Sequence, residues 1–210
     1  MNTNWIRNDE DALIYVGDAM CSWCYGIAEE VTLLKNNHPE LTFVSLMGGL
    51  RPYNTERAID MADFLKGHWD EVNKRSGQPF TYDILQDPEF IYDTEPASRA
   101  VVVVREMARE KEFDFFKAVQ KAFYFEGKNP NHLTTYLPIA EAFDLDTEKY
   151  ALLFQSERIK EETKRDFQLA QEMGIKGFPS LVLKKNGQFS LIANGYNTAD
   201  QIEKVIAQIK

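Results

Sequence analysis

The chemistry of this chain concentrates in one stretch, Ala19-Met-Cys-Ser-Trp-Cys-Tyr-Gly26. It holds Cys21 and Cys24, the only two cysteines present. Sulfurs spaced C-x-x-C can cycle between dithiol and disulfide, supply half of a zinc site, or act as small core residues. A zinc site needs two further ligands, yet there is no second C-x-x-C, and His38, His68 and His132 stand singly. Redox use is the leading reading, and no metal is expected.

The position of the pair sharpens this reading. Ala12–Val16 (ALIYV) reads as a short buried strand, ended by Gly17 and Asp18. After it, Cys24, Ile27, Ala28, Val31 and Leu34 recur at helical spacing. Cys21 is thus expected in the first turn of a helix, where unpaired amides and the positive end of the dipole favour a thiolate. Cys21 is assigned as nucleophile. Cys24, one turn later on the buried face, is assigned as the less exposed resolving thiol.

A second element lies far along the chain. Gly177-Phe178-Pro179-Ser180 directly precedes a late strand, where a proline suits the first residue. With a C-x-x-C upstream, the expectation is a cis Phe178–Pro179 bond beside the sulfurs. That bond would leave the Phe178 backbone free to pair with an extended peptide.

Other candidates carry a functional and a plainer reading side by side. Asp18 either relays a proton to Cys24 or simply ends the strand. Ser22 either donates to the Cys21 thiolate, making the site more oxidising, or caps the helix. Trp23 and Tyr25 are candidates for an apolar collar around a substrate peptide, and His68 and Trp69 for the rim of the site. The aromatic series Phe113, Phe115, Phe116, Phe123, Tyr124 and Phe125 reads mostly as core, and the charge run Glu157–Asp166 as a solvated helix face.

The remaining pattern must position these groups. Leu41–Leu46 reads as a second strand, closed by Gly48-Gly49. Helices are expected over 55–76, 96–109, 111–126, 131–143 and 147–173, the last broken near Gln155. Strands return at 180–183 and 188–193 around Asn186-Gly187, a hairpin signal. Thr198 and Gln201 form a capping box for a last helix. The order β-α-β, helical block, β-β-α gives an α/β, thioredoxin-like fold with a large all-helical insertion. Its division is 1–52 and 174–210 for the core and 53–173 for the insertion, including the helix that returns to the core.

A formal charge of −9 disfavours nucleic acid and anionic membranes as partners. No run approaches the ~20 apolar residues of a spanning helix. Met1–Asp11 shows no basic region followed by an apolar stretch, which points to a reducing cytoplasm.

Asp18-Ala-Met-Cys-Ser-Trp-Cys-Tyr-Gly26, together with the late Gly-Phe-Pro, resembles the DsbA-like thiol–disulfide oxidoreductases, in particular the FrnE-like disulfide isomerase branch. Gly48-Gly-Leu-Arg-Pro52, His68-Trp69 followed by Gly77-Gln-Pro-Phe80, and Thr94-Glu-Pro-Ala-Ser-Arg-Ala100 fit that branch too. The resemblance implies that Cys21 attacks, Cys24 resolves, and Pro179 is cis beside them. Ser22 departs from the Pro common at that position in the family.

The function expected is thiol–disulfide exchange or isomerisation of protein and peptide substrates. The cysteine pair serves in place of a cofactor, and glutathione is a candidate co-substrate. Two alternatives stay open. One is a glutathione-dependent transferase or isomerase of small aromatic molecules, which has no need of Cys24. The other is a non-catalytic peptide-binding holdase.

Overall fold

The computed structural model describes residues 10–209. Its four strands form one mixed sheet in the order β2-β1-β3-β4. The central strand β1 (Ala12–Gly17) runs parallel to β2 (Thr42–Met47) and antiparallel to β3 (Ser180–Lys185). β3 returns through Asn186-Gly187, both at positive φ, into β4 (Gln188–Asn194). Every residue of β1 is buried, because helices cover both faces of the sheet. Leu13 and Tyr15 join the larger core, whereas Ala12, Ile14 and Val16 join a smaller one on the opposite face.

The expected helix after Cys21 is two helices, α1 (Ser22–Gly26) and α2 (Ala28–Asn37), with Ile27 between them. Part of the reason is close packing against α3 (Ala62–Ser76): a Cβ on Gly26 would lie 2.8 Å from Val72 of that helix. The expected helix over 55–76 likewise starts late. Arg57 is extended and bridges Ile91, and the Ala58 amide donates to Phe90 O (2.9 Å), so the chain enters α3 through a 3-10 turn at Ala58–Met61. Gly77, in the left-handed region, ends α3.

The block continues with α4 (Glu95–Met107), α5 (Glu112–Tyr124), α6 (Leu133–Ala142), α7 (Thr147–Gln155) and α8 (Glu157–Glu172). Ser156 separates α7 from α8 and caps α8 by accepting the Ile159 amide (3.3 Å). The last helix, α9 (Ala199–Ile206), carries the Thr198–Gln201 capping box. The result is an α/β thioredoxin-like sheet interrupted by helices. Among the described residues no helix is long and apolar enough to cross a membrane. The expectation that no leader is present rests largely on residues 1–9, outside the described residues.

One buried ion network ties the insertion to the sheet. Arg105 of α4 donates to both oxygens of Asp166 on α8 (2.8 and 2.6 Å), to Glu112 of α5 (2.8 Å) and to Ser45 O of β2 (2.9 Å). The Met47 amide donates to Asp166 as well (3.0 Å). Asp166 therefore corrects the expectation of a solvated face for its charge run, because it is buried at the junction of helix and strand. Removing one member of such a network strands the others in a poorly solvating interior. Arg105→Met is expected to lower the unfolding free energy by about 3–5 kcal/mol in urea titrations. A loss below about 1 kcal/mol, the worth of a surface pair, would contradict this account.

Candidate active site

The site forms where β1 and β2 end. The Gly48 amide donates to Gly17 O (2.7 Å), so the two strand ends are still paired as the chain turns toward the cysteines. Through that turn the Cys21 amide donates to Asp18 O (3.0 Å). Cys21 is the N-cap of α1, in extended conformation, one residue earlier than expected. No side chain caps α1, and the Cys21 sulfur accepts no amide of that helix. The sulfur instead lies 3.6 Å from Phe178 O, within reach of the thiol proton. Phe178–Pro179 is cis. The Phe178 carbonyl, expected to be free for a peptide, is turned onto Cys21.

Cys24 sits behind Cys21. Its side chain is fully buried, while Cys21 keeps 5% of its surface exposed. The Cys24 sulfur accepts the Asp18 amide (3.5 Å), and Cys21 and Tyr15 lie in the same buried cluster. Burial, with Cys21 alongside, pushes the Cys24 thiol well above its ordinary value.

Asp18 fills the turn-forming role weighed for it. Its carboxylate accepts the amides of Met20 (2.8 Å) and Leu50 (2.7 Å), which fixes the turn. It is also wholly buried, and burial pushes its pKa up to about 6 despite those two bonds. Two motifs without an assigned role converge here. Leu50 and Arg51 come from Gly48-Gly-Leu-Arg-Pro52, and the Arg51 amide donates to the hydroxyl of Thr94 (3.1 Å), which opens Thr94-Glu-Pro-Ala-Ser-Arg-Ala100. Tyr92 adds a bond from its hydroxyl to Met20 O (2.8 Å).

The aromatic candidates divide. Trp23 is half-buried between His68 (ring centroids 6.4 Å apart) and Tyr196 (6.1 Å), and His68 stacks on Phe64 (5.4 Å). Beside Trp23 lies a cavity of about 350 Å³ lined also by Arg75, Phe178, Gly195 and Tyr196. The exposed Arg75 guanidinium rests over the Tyr196 ring, 5.2 Å from its centroid.

Tyr25 and Trp69 do not belong to this rim, which corrects their assignment as substrate contacts. Tyr25 stacks on Tyr124 (5.0 Å) and donates to Pro79 O (3.2 Å); Trp69 is 1% exposed among Phe80, Tyr82, Phe123 and Tyr124. The helix face that carries Trp69 is buried by other parts of the insertion, a tertiary fact that helical spacing does not reveal. Ser22 is the first residue of α1 and is buried; the capping position is taken by Cys21. Of the aromatic series, Phe125 is exposed and the others are core.

Sequence reasoning missed Tyr15, Arg75 and Tyr196. The first had a faint signal, a polar-tipped ring two residues before a strand-ending glycine.

The family model of the DSBA-like thioredoxin domain matches residues 12–207. The chain belongs to the DsbA-like thioredoxin family, a family of thiol–disulfide oxidoreductases. Its fold closely follows that of a candidate protein disulfide isomerase from Nitrosomonas europaea, with 32% identity, a TM-score of 0.87, and 95% of this chain and 97% of that one covered. The cytosolic disulfide reductase DsbM of Pseudomonas aeruginosa shares the fold at 21% identity and a TM-score of 0.79, with 94% and 98% covered. A structure of DsbM with GSH is similar at 20% identity and a TM-score of 0.77, with the same coverage. No curated protein sequence matches significantly.

In this DsbA-like fold the raised Asp18 pKa has a defined sign. A carboxyl that holds its proton more tightly when folded favours the native state at low pH. Its contribution is lost as pH rises from about 4 to about 6. Relative to Asp18→Asn, the parent is therefore expected to lose about 3 kcal/mol across that window in denaturant unfolding. Parallel pH profiles for the two proteins would show that Asp18 ionises normally.

Proposed function

We propose that the protein reduces and isomerises disulfides in peptide or protein substrates, with Cys21 as nucleophile, Cys24 as resolving thiol and glutathione as the source of electrons. The observation that carries this is the division of the pair: one sulfur, slightly exposed, against Phe178, which lines the aromatic cavity, and the other fully buried. A transferase would have no use for the second sulfur.

The Cys21 thiolate attacks one sulfur of the substrate disulfide, whose other sulfur leaves as a thiolate. Cys24 then gives up its proton and attacks Cys21 Sγ. The Cys21–Cys24 bond forms, the mixed disulfide breaks, and the departing substrate sulfur takes up a proton. Two glutathione thiols return the pair to the dithiol and leave as glutathione disulfide. A misplaced protein disulfide is isomerised when a second substrate thiol, rather than Cys24, attacks the mixed disulfide.

The reducing direction and a cytoplasmic setting draw support from the kinship in fold with a cytosolic disulfide reductase that has a GSH-bound structure. Phe178, whose carbonyl meets the Cys21 sulfur and whose neighbour is Pro179, lines the proposed substrate cavity with Trp23, and His68 packs on the tryptophan. Asp18 is the group suited to accept the Cys24 proton near neutral pH. Arg75, held over Tyr196, offers a cation to a carboxylate of glutathione or of an acidic peptide.

Glutathione-driven insulin reduction tests the proposal. Cys21→Ala is expected to abolish turnover, while Cys24→Ala accumulates a Cys21–substrate mixed disulfide visible by mass spectrometry. Turnover that survives Cys21→Ala would overturn it. Arg75→Ala is expected to raise the KM for glutathione about three- to fivefold with kcat little changed, the loss of one exposed charge contact. An unchanged KM would remove Arg75 from the substrate site.

A further inference from the structure

Tyr15 is a wholly buried polar residue near the dithiol, and its surroundings explain little of it. The residue is wholly buried on β1, its ring edge-on to Phe113 (5.5 Å) and Phe116 (5.7 Å) of α5. A phenylalanine would satisfy those contacts equally well. The hydroxyl has no formed hydrogen bond among the described residues, a costly state for a buried polar atom. It packs over Gly17, and the amide of the next residue, Asp18, donates to the Cys24 sulfur (3.5 Å), so hydroxyl and sulfur come to the same stretch of backbone.

The backbone is shaped to allow this. Tyr15 and Gly17 lie on the same face of β1, and the Tyr15 ring folds back along the strand over Gly17. A Cβ on Gly17 would stand 2.6 Å from Cε1, Cζ and the hydroxyl oxygen of Tyr15. Any residue other than glycine would push the hydroxyl away from the cysteines.

We propose that Tyr15 is a hydrogen-bond donor to the Cys24 sulfur when that sulfur becomes a thiolate, and that Gly17 is a glycine so that the ring can reach it. This rests on the resolving role given to Cys24. In that step the Cys24 S–H bond breaks, the Cys24–Cys21 bond forms, the bond from Cys21 to the substrate breaks, and the leaving sulfur ends with the proton. Tyr15 keeps its own proton throughout, since burial and the nearby sulfurs push its hydroxyl far above the usual range. While Cys24 is a thiol, the hydroxyl waits without a good acceptor; the thiolate supplies one, and a bond to a charged acceptor is stronger than one between neutral groups.

The groups bearing most strongly on Cys24 are Tyr15 from β1, Cys21 at the start of α1 and Asp18 from the turn. From α5 come Phe113 and Phe116, which pack on Tyr15, and Tyr124, which with Tyr92 bears on Cys21. None of these is a cation. The Tyr15 hydroxyl and the Asp18 amide are thus the donors at hand for the buried anion.

The test isolates that sulfur. In a Cys21→Ala background, Cys24 labelled with carbon-13 at Cβ is titrated by NMR, with and without Tyr15→Phe. The substitution removes only the hydroxyl and keeps the ring packing. It is expected to raise the Cys24 midpoint by about one pH unit or more. In the two-cysteine protein, resolution of a glutathione mixed disulfide at neutral pH is expected to slow about tenfold, the difference closing at a pH above both midpoints. A purely packing role would move neither the midpoint nor this pH-dependent gap. A midpoint unchanged by Tyr15→Phe overturns the proposal. A parent protein that titrates as expected but fails to reduce insulin would sink the proposed function instead, leaving the contact intact.

Discussion

The site depends on a place where two strand ends meet without side chains. Gly17 ends β1, the Gly48 amide bonds to its carbonyl, and the missing Cβ atoms leave room on both sides. Tyr15 fills one space. The Phe178 ring fills the other, where a Cβ on Gly48 would stand 2.1 Å from it. The ring of Tyr15 and the residue whose carbonyl meets the Cys21 sulfur are therefore both admitted by glycine. Such tolerance is steric: two close approaches of ring to backbone that no larger residue permits.

Around that junction burial is the leading influence on the ionisation of Asp18 and Cys24. α1 is a short helix that leaves the Cys21 sulfur without a capping bond. The groups that do meet the pair are the Phe178 carbonyl and the Asp18 amide, each contributed by a different segment. Asp18 gathers these segments. Its two oxygens hold its own turn and the loop after β2, and that loop in turn is bonded to the start of α4. A carboxylate so placed fixes both segments with the same two atoms.

What the sequence made legible was local. The strand before Cys21, the hairpin at Asn186-Gly187, the capping box at Thr198 and the separation of α7 from α8 are each specified by residues within a few positions of one another. The cis proline was legible because its setting, a strand start paired with an upstream C-x-x-C, is itself a short pattern. The failures share a cause as well. Arg57 is extended because Phe90 and Ile91 pair with that segment, and helix spacing carries no sign of either. Trp69, Tyr25 and Asp166 looked available for solvent or substrate until other parts of the chain closed over them. The Tyr15 contact required knowing that its ring turns back over Gly17, a matter of packing and not of residue type.

With no third thiol in the chain, the molecule has one covalent degree of freedom. It holds a single pair of electrons or it does not, and no internal shuffling among alternative bridges can store an intermediate. In the exchange proposed for the pair, every cycle must therefore be completed by a thiol or disulfide arriving from outside.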